Sequence, residues 1–286
     1  MVDDEKTADP DATKPEGKPG RDLKPKIREW LMKNGYPMEM QVADVFHKAG
    51  YLVEQSQYYR NKENVACEID IIASRMAYPD AISEMNVVVE CKSNPNTELP
   101  WVVFSCPADD NGFSELHYPL LTDVARRAFA NAISKGTVKD FPSLMKFGKR
   151  VGYGVQCAQI CKGKNNEDLA YRGMVKLVNS AVFKLQSVIH PAAANIVVPV
   201  LAVRTPLFEC WLEPDGVKLE QRDHLMLTWH RPSDVEPIVG QTVIHVVHQD
   251  GLEVFAQKAT QLFETLAITC KAEVIAAAER SAEQRQ

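Results

Sequence analysis

Cys67-Glu68-Ile69-Asp70-Ile71-Ile72-Ala73 and, after a polar interval, Asn86-Val87-Val88-Val89-Glu90-Cys91-Lys92 decide how this chain folds. Both segments are crowded with β-branched residues, and short runs of this kind form strands. Side chains alternate across a strand, so Glu68, Asp70 and Ile72 share one face of the first. Val88, Glu90 and Lys92 share one face of the second. Between them, Tyr78-Pro79-Asp80-Ala81 has the composition of a turn. A hairpin folded symmetrically about Asp80 sets Asp70 opposite Glu90 and Glu68 opposite Lys92, with opposed Cβ atoms ~4.5–5.5 Å apart. Two carboxylates at that distance repel unless a cation lies between them, and a lysine one pleat away offsets part of the charge. The pattern describes a small site for a hard metal ion with an ammonium built in. The plainer reading of the same residues is a cross-strand charge network on a solvated sheet face. The flanking Ile and Val runs argue against a solvated face.

Upstream, a helix starts at Pro37, a favoured first-turn residue. Met38, Val42, Val45, Phe46 and Ala49 fall at the spacing of a buried stripe. Glu39 borders that stripe, where a carboxylate needs a partner or a metal; a first-turn glutamate is also favoured by the helix dipole alone. Gly50-Tyr51 ends the helix, Tyr51 to Tyr59 reads as a strand, and Asn61 to Asn64 reads as its turn.

Asp70 followed by Glu90-Cys91-Lys92 resembles the D…(D/E)-x-K signature of the PD-(D/E)xK restriction-endonuclease-like nucleases. With the helix glutamate Glu39, the Gly-Tyr and the intervening strand, the order of elements resembles the Mrr-like branch. The match covers residues 36 to 93, about a fifth of the chain. Ile69 stands where many members carry a proline. The resemblance implies an α/β fold with a restriction-endonuclease-like core, a central mixed β-sheet flanked by helices. It implies Mg²⁺, with Mn²⁺ as substitute, held by Asp70, Glu90 and the Cys91 backbone carbonyl. Lys92 would act on water and phosphate, and Glu39 would complete the catalytic set. The implied activity is metal-dependent hydrolysis of DNA phosphodiester bonds by an endonuclease of bacterial restriction, phage defence or DNA repair. The alternatives are a catalytically silent nucleic-acid-binding module on the same fold, and a nuclease acting on RNA or branched ends.

The remaining chain gives an organisation around that core. Residues 1–22 are polar and Pro/Gly-rich, the composition of a disordered tail. A helix is predicted from Leu23 to Lys33, stopped by Asn34-Gly35. Residues 23–286 read as one elaborated domain, its core at 36–105 and 150–210. An inserted, partly helical segment occupies about 106–149, with a helix from Leu120 to Ser134 and an apolar anchor at Phe141-Pro142-Ser143-Leu144. A β-rich C-terminal extension occupies about 211–286 and ends in a helix from Leu252 to Arg280. Glu167 to Ile189 traces a long amphipathic helix, and Ile196 to Val203 a strand buried on both faces. Gly148-Lys149-Arg150-Val151-Gly152-Tyr153-Gly154 lacks the spacing of a nucleotide-binding loop and is expected to be a turn. His245 and His248 are i, i+3 on a strand and so point to opposite faces, which disfavours a shared metal.

The net charge of −5 argues against a generally basic nucleic-acid binder. Charge is nonetheless concentrated: from Arg126 to Lys164 nine basic residues stand against one acid. Within that block Arg126, Arg127, Lys146, Lys149 and Arg150 are the candidate phosphate contacts, the competing reading being a solvated face. The expected partner is nucleic acid, DNA first, with a homodimer or a partner protein supplying specificity. Val2-Asp3-Asp4-Glu5 is unlike a secretory signal, no apolar run approaches ~20 residues, and the seven cysteines form no C-x-x-C pair. Free thiols in a cytoplasmic protein with no membrane association are the expectation.

Overall fold

A computed structural model describes residues 22–33, 35–61, 63–77, 83–93, 99–107, 120–136, 149–158, 169–187, 194–230, 241–269 and 271–283. Helix α1 spans Lys24–Lys33 and α2 spans Tyr36–Lys48. Gly35 leads into α2 with φ +80°, a left-handed conformation that glycine adopts without steric cost, and Pro37 sits in its first turn. The stripe Met38, Val42, Val45 and Phe46 is buried. Each such side chain contributes roughly 1.5–3 kcal/mol when taken fully from water.

Three antiparallel strands follow: β1 (Leu52–Arg60), β2 (Ala66–Ala77) and β3 (Ser83–Lys92). Asn61 closes the first turn, its side-chain oxygen accepting from the N–H groups of Glu63 at 3.0 Å and Val65 at 2.8 Å. In the second hairpin Ile71 lies opposite Val89 and Ala77 opposite Ser83, a register centred on residue 80. The turn itself, residues 78–82, lies outside the described residues.

The chain continues as β4 (Trp101–Pro107), β5 (Leu120–Leu121), α3 (Asp123–Ser134), β6 (Arg150–Cys157), α4 (Leu169–Gln186) and β7 (Ala194–Val203). It ends with β8 (Leu207–Glu213), β9 (Gly216–Gln221), β10 (His224–His230), β11 (Gln241–His248), α5 (Leu252–Thr269) and α6 (Lys271–Glu283). The eleven strands among the described residues form one mixed sheet in the order β1-β2-β3-β7-β11-β10-β6-β4-β8-β9, with β5 paired to β7. β7 runs parallel to β3 and to β11. Its burial on both faces matches the continuous apolar run Ile196 to Val203. One core layer joins α2, α3, α5 and α6 to the sheet; on the opposite face α4 buries Met174, Leu177, Val178 and Ala181. The fold is therefore mixed α/β, a large central mixed sheet flanked by helices. Among the described residues no helix is long and apolar enough to cross a membrane.

Two readings are corrected. The glycine-rich stretch is not a turn where it is described: Arg150 to Gly154 belongs to strand β6, inside the sheet between β10 and β4. A Cβ at Gly152 would stand 2.6 Å from Val103 Cγ1 and 2.8 Å from Leu227 Cβ, so only glycine lets these strands pack. The segment from Leu252 is two helices, α5 and α6, where the periodicity suggests one. The tail 1–21, the anchor Phe141 to Leu144 and Lys146 lie outside the described residues.

Candidate active site

The rung beyond Ile71 and Val89 holds Asp70 and Glu90, and there the sheet stops being regular. The Cys91 N–H donates to Asp70 Oδ2 at 2.7 Å, so a side chain takes the bond a neighbouring strand's backbone would take. On the other edge of β2 the ladder pairs Gln55 with Ile71 and Gln57 with Ile69, leaving Ser56 unpaired at φ +51°. A non-glycine residue in that conformation is strained and persists only where its surroundings impose it. Both sides of Asp70 are thus released from the ladder. The C=O of a strand residue leaves on the same edge as its N–H, so the Cys91 carbonyl faces the Asp70 side. The Lys92 carbonyl faces the other way, where it accepts from Arg204 N–H at 3.3 Å.

Asp70 and Glu90 are almost removed from solvent, at 8% and 2% relative exposure. Charges so deeply placed need partners. Lys176, on α4, supplies one: its Nζ lies 2.7 Å from Asp70 Oδ1 and 2.7 Å from Glu90 Oε2. Lys92 supplies the other, its Nζ 2.5 Å from Glu90 Oε1. The expectation of two carboxylates repelling across an empty gap is corrected, because an ammonium bridges them. Lys92 sits on Glu90 and is not the partner of Glu68. Its chain runs close to α4 at Gly173, where a Cβ would stand 3.0 Å from Lys92 Cε.

Burial raises the Glu90 pKa first and the Asp70 charge raises it further, while Lys92 and Lys176 pull it partly back. Burial works against the Lys176 ammonium, but the charges and hydrogen bonds of Glu90 and Asp70 win and hold its pKa above the ordinary lysine range. Glu39 stands in the first turn of α2 at the edge of the site. Its pKa is raised by burial, then by the Asp70 and Glu68 charges, with Lys176 opposing. Burial and the surrounding carboxylates push the Cys91 thiol well up, so it is neutral and no nucleophile.

The arrangement brings together Asp70, Glu90, Lys92 and the Cys91 backbone, with Glu39 close enough for its charge to couple. It adds Lys176, which the sequence reading passed over as part of a covering helix. One signal was available: Gly173, Lys176 and Ser180 form a small and polar line beside the apolar stripe of α4.

The described residues of the basic block are not part of this cluster. Thr122, the N-cap of α3, hydrogen-bonds with Asn195, six residues before Leu201, the partner of Glu90. At ~3.3 Å per strand residue, α3 begins ~20 Å from the carboxylates. On it Arg127 is exposed, and Arg126 lies 3.7 Å from Asp123 in an exposed pair. Lys149 is exposed at the start of β6. Arg150 is engaged: it donates two bonds to buried Glu209, at 2.8 and 2.9 Å, and lies 3.7 Å over the Trp211 ring. His245 and His248 do point apart, His245 to His224 at 3.0 Å and His248 to the Arg204 carbonyl at 3.1 Å.

Among the described residues no group of three or more His, Cys, Asp or Glu side chains is disposed to hold a metal by itself. What the site offers is two carboxylates converging on one cationic centre, a backbone carbonyl on the same side, and a second ammonium. Comparison of the chain with protein-family models, curated proteins and solved structures finds no match.

Proposed function

We propose that the chain is a metal-dependent nuclease of the restriction-endonuclease-like kind, hydrolysing DNA phosphodiester bonds. The observation that carries this reading is the convergence of Asp70 and Glu90 on a single cation, with Lys92 on the far oxygen of Glu90. The order of elements supports it: helix α2 with Glu39, three antiparallel strands, then, after β4 to β6, helix α4 and a strand parallel to the third.

The donor set fits Mg²⁺. Asp70 Oδ1, Glu90 Oε2 and the Cys91 carbonyl are hard oxygens, and the position between the two carboxylates already holds a positive charge. Bound there, Mg²⁺ or Mn²⁺ would polarise a phosphate oxygen and lower the pKa of water. The chain's own residues do the rest. In hydrolysis a P–O bond to water oxygen forms, one P–O ester bond breaks, and a proton passes to the leaving alkoxide. The Lys92 ammonium, fixed by Glu90, can orient the attacking water and donate to phosphate oxygens whose charge grows in the transition state. Glu39, its pKa raised by burial and by the Asp70 and Glu68 charges, stands at the edge of the site as the carboxyl group that could relay a proton.

One observation favours a second reading, a silent nucleic-acid-binding module. Lys92 and Lys176 already neutralise Asp70 and Glu90, which is what a purely structural network needs. The test is incubation with supercoiled, linear and single-stranded DNA and with RNA, each with Mg²⁺ and with EDTA. Cleavage that requires Mg²⁺ supports the nuclease and names its substrate. Binding without cleavage of any of the four supports the silent module.

A further inference from the structure

We propose that Lys176 is a resident counter-ion, occupying in the metal-free protein the place that the divalent ion takes, so that each excludes the other. This rests on the metal-centre reading above. Lys176 Nζ is the only atom group among the described residues in ion-pair contact with both carboxylates, 2.7 Å from one oxygen of each. An ion bound by those same oxygens has to fill the volume that the ammonium fills. The shared position cannot lack both cations at once, because Glu90 is 2% exposed and Asp70 8%, and Lys92 alone leaves two adjacent buried carboxylates with one counter-charge between them.

Of the two lysines, Lys176 is the one free to leave. Among the described residues the Lys92 ammonium pairs with Glu90 alone, on Oε1, the oxygen that Lys176 does not use, and its chain is confined beside Gly173 on α4. Lys176 rises from α4 with a third of its side chain exposed (33%), so four methylenes can carry the ammonium outward without disturbing the helix. The exchange keeps both carboxylates compensated in either state and makes metal affinity a difference between two cations. The metal-free site is then pre-formed instead of splayed by repulsion, and displaced Lys176 becomes a mobile positive charge at the mouth, where a phosphate would approach.

The test compares the full chain with Lys176→Met and Lys176→Gln, the second keeping a hydrogen-bond donor in case the first does not fold. Mg²⁺ and Mn²⁺ binding is read by calorimetry, and melting temperature is followed with and without each ion; Asp70→Asn is the reference for loss of the centre. The expected result is that the neutral variants melt lower than wild type without metal and gain more on adding it. They should bind the ion about tenfold or more tighter, since a competing unit charge is gone. Unchanged affinity and an unchanged melting shift in both variants, with binding lost in Asp70→Asn, would overturn the exchange while leaving the metal centre standing. Absence of any Asp70-dependent binding in wild type and variants alike overturns the metal centre and the exchange together.

Discussion

Gly173→Ala separates what holds this fold together from what its candidate site does. Gly173 lies inside α4, an 18-residue helix, where replacing glycine by alanine ordinarily stabilises by ~1 kcal/mol. Here the new methyl would meet Lys92 Cε at 3.0 Å, Leu201 Cδ1 at 3.4 Å and Lys92 Cγ at 3.6 Å. The last two distances are tolerable; the first requires Lys92 to yield by a few tenths of an ångström. Its ammonium is held by Glu90 at 2.5 Å, so the chain yields only by loosening that contact. Lys92 is 30% exposed, which limits the loss to ~1 kcal/mol. Gain and loss nearly cancel, and the net change in stability is within ~1 kcal/mol. Function is not buffered in this way, since a small misplacement of a group acting on the transition state lowers the rate by roughly 10- to 100-fold. Urea unfolding and a plasmid-nicking assay on the same preparation measure the two effects. Full cleavage in Gly173→Ala, or a loss of stability above ~3 kcal/mol, would refute the placement of Lys92 as the residue that Gly173 accommodates.

Asp70→Asn should destabilise the metal-free protein by ~1–2 kcal/mol, because it removes one of two anchors of the Lys176 ammonium; denaturant midpoints decide. Relief of carboxylate repulsion would predict a gain instead. His224 and His245 form a buried pair, 3.0 Å between ring nitrogens, against Phe255. Burial first, and then the Lys258 charge, lowers His224 to about 4, and burial also lowers His245. Both folded values lie below the ~6.5 of an unfolded histidine, so the unfolded chain binds more protons and stability falls as pH drops from ~6.5 towards 4. The loss from His224 alone is ~3 kcal/mol at pH 4, and His224→Phe should flatten that limb of the stability–pH curve. Arg150→Ala should cost ~2 kcal/mol of stability through the lost Glu209 and Trp211 contacts and leave the salt dependence of DNA binding unchanged. Lys149→Ala should do the reverse, lowering the slope of log K against log salt by ~0.9 if it contacts a phosphate.

Much of the centre was legible because strand chemistry is local. β-Branched runs separated by a segment of turn-like composition define both strands, and a pairing centred on position 80 defines the register that brings Asp70 to the level of Glu90. The apolar spacing of α2 likewise places Glu39 at its edge. What was not legible depends on distant partners. Lys176 is 106 residues from Asp70, and nothing in the spacing of α4 says which strand pair lies beneath it. Arg150 has a basic neighbourhood in sequence but an acidic one in space, since Glu209 arrives from β8, 59 residues on. Gly152 signals a turn by local propensity, yet the lack of a Cβ serves close packing between β4 and β10.

The most direct test of the central claim is cleavage of supercoiled plasmid in Mg²⁺ by wild type beside Asp70→Asn, with EDTA as the metal-free control. Wild type is expected to give nicked or linear product in Mg²⁺ and none in EDTA, and Asp70→Asn to give none although it remains folded. Metal-independent cleavage, or wild-type rates that persist in Asp70→Asn, would contradict the assignment of this centre as the seat of phosphodiester hydrolysis.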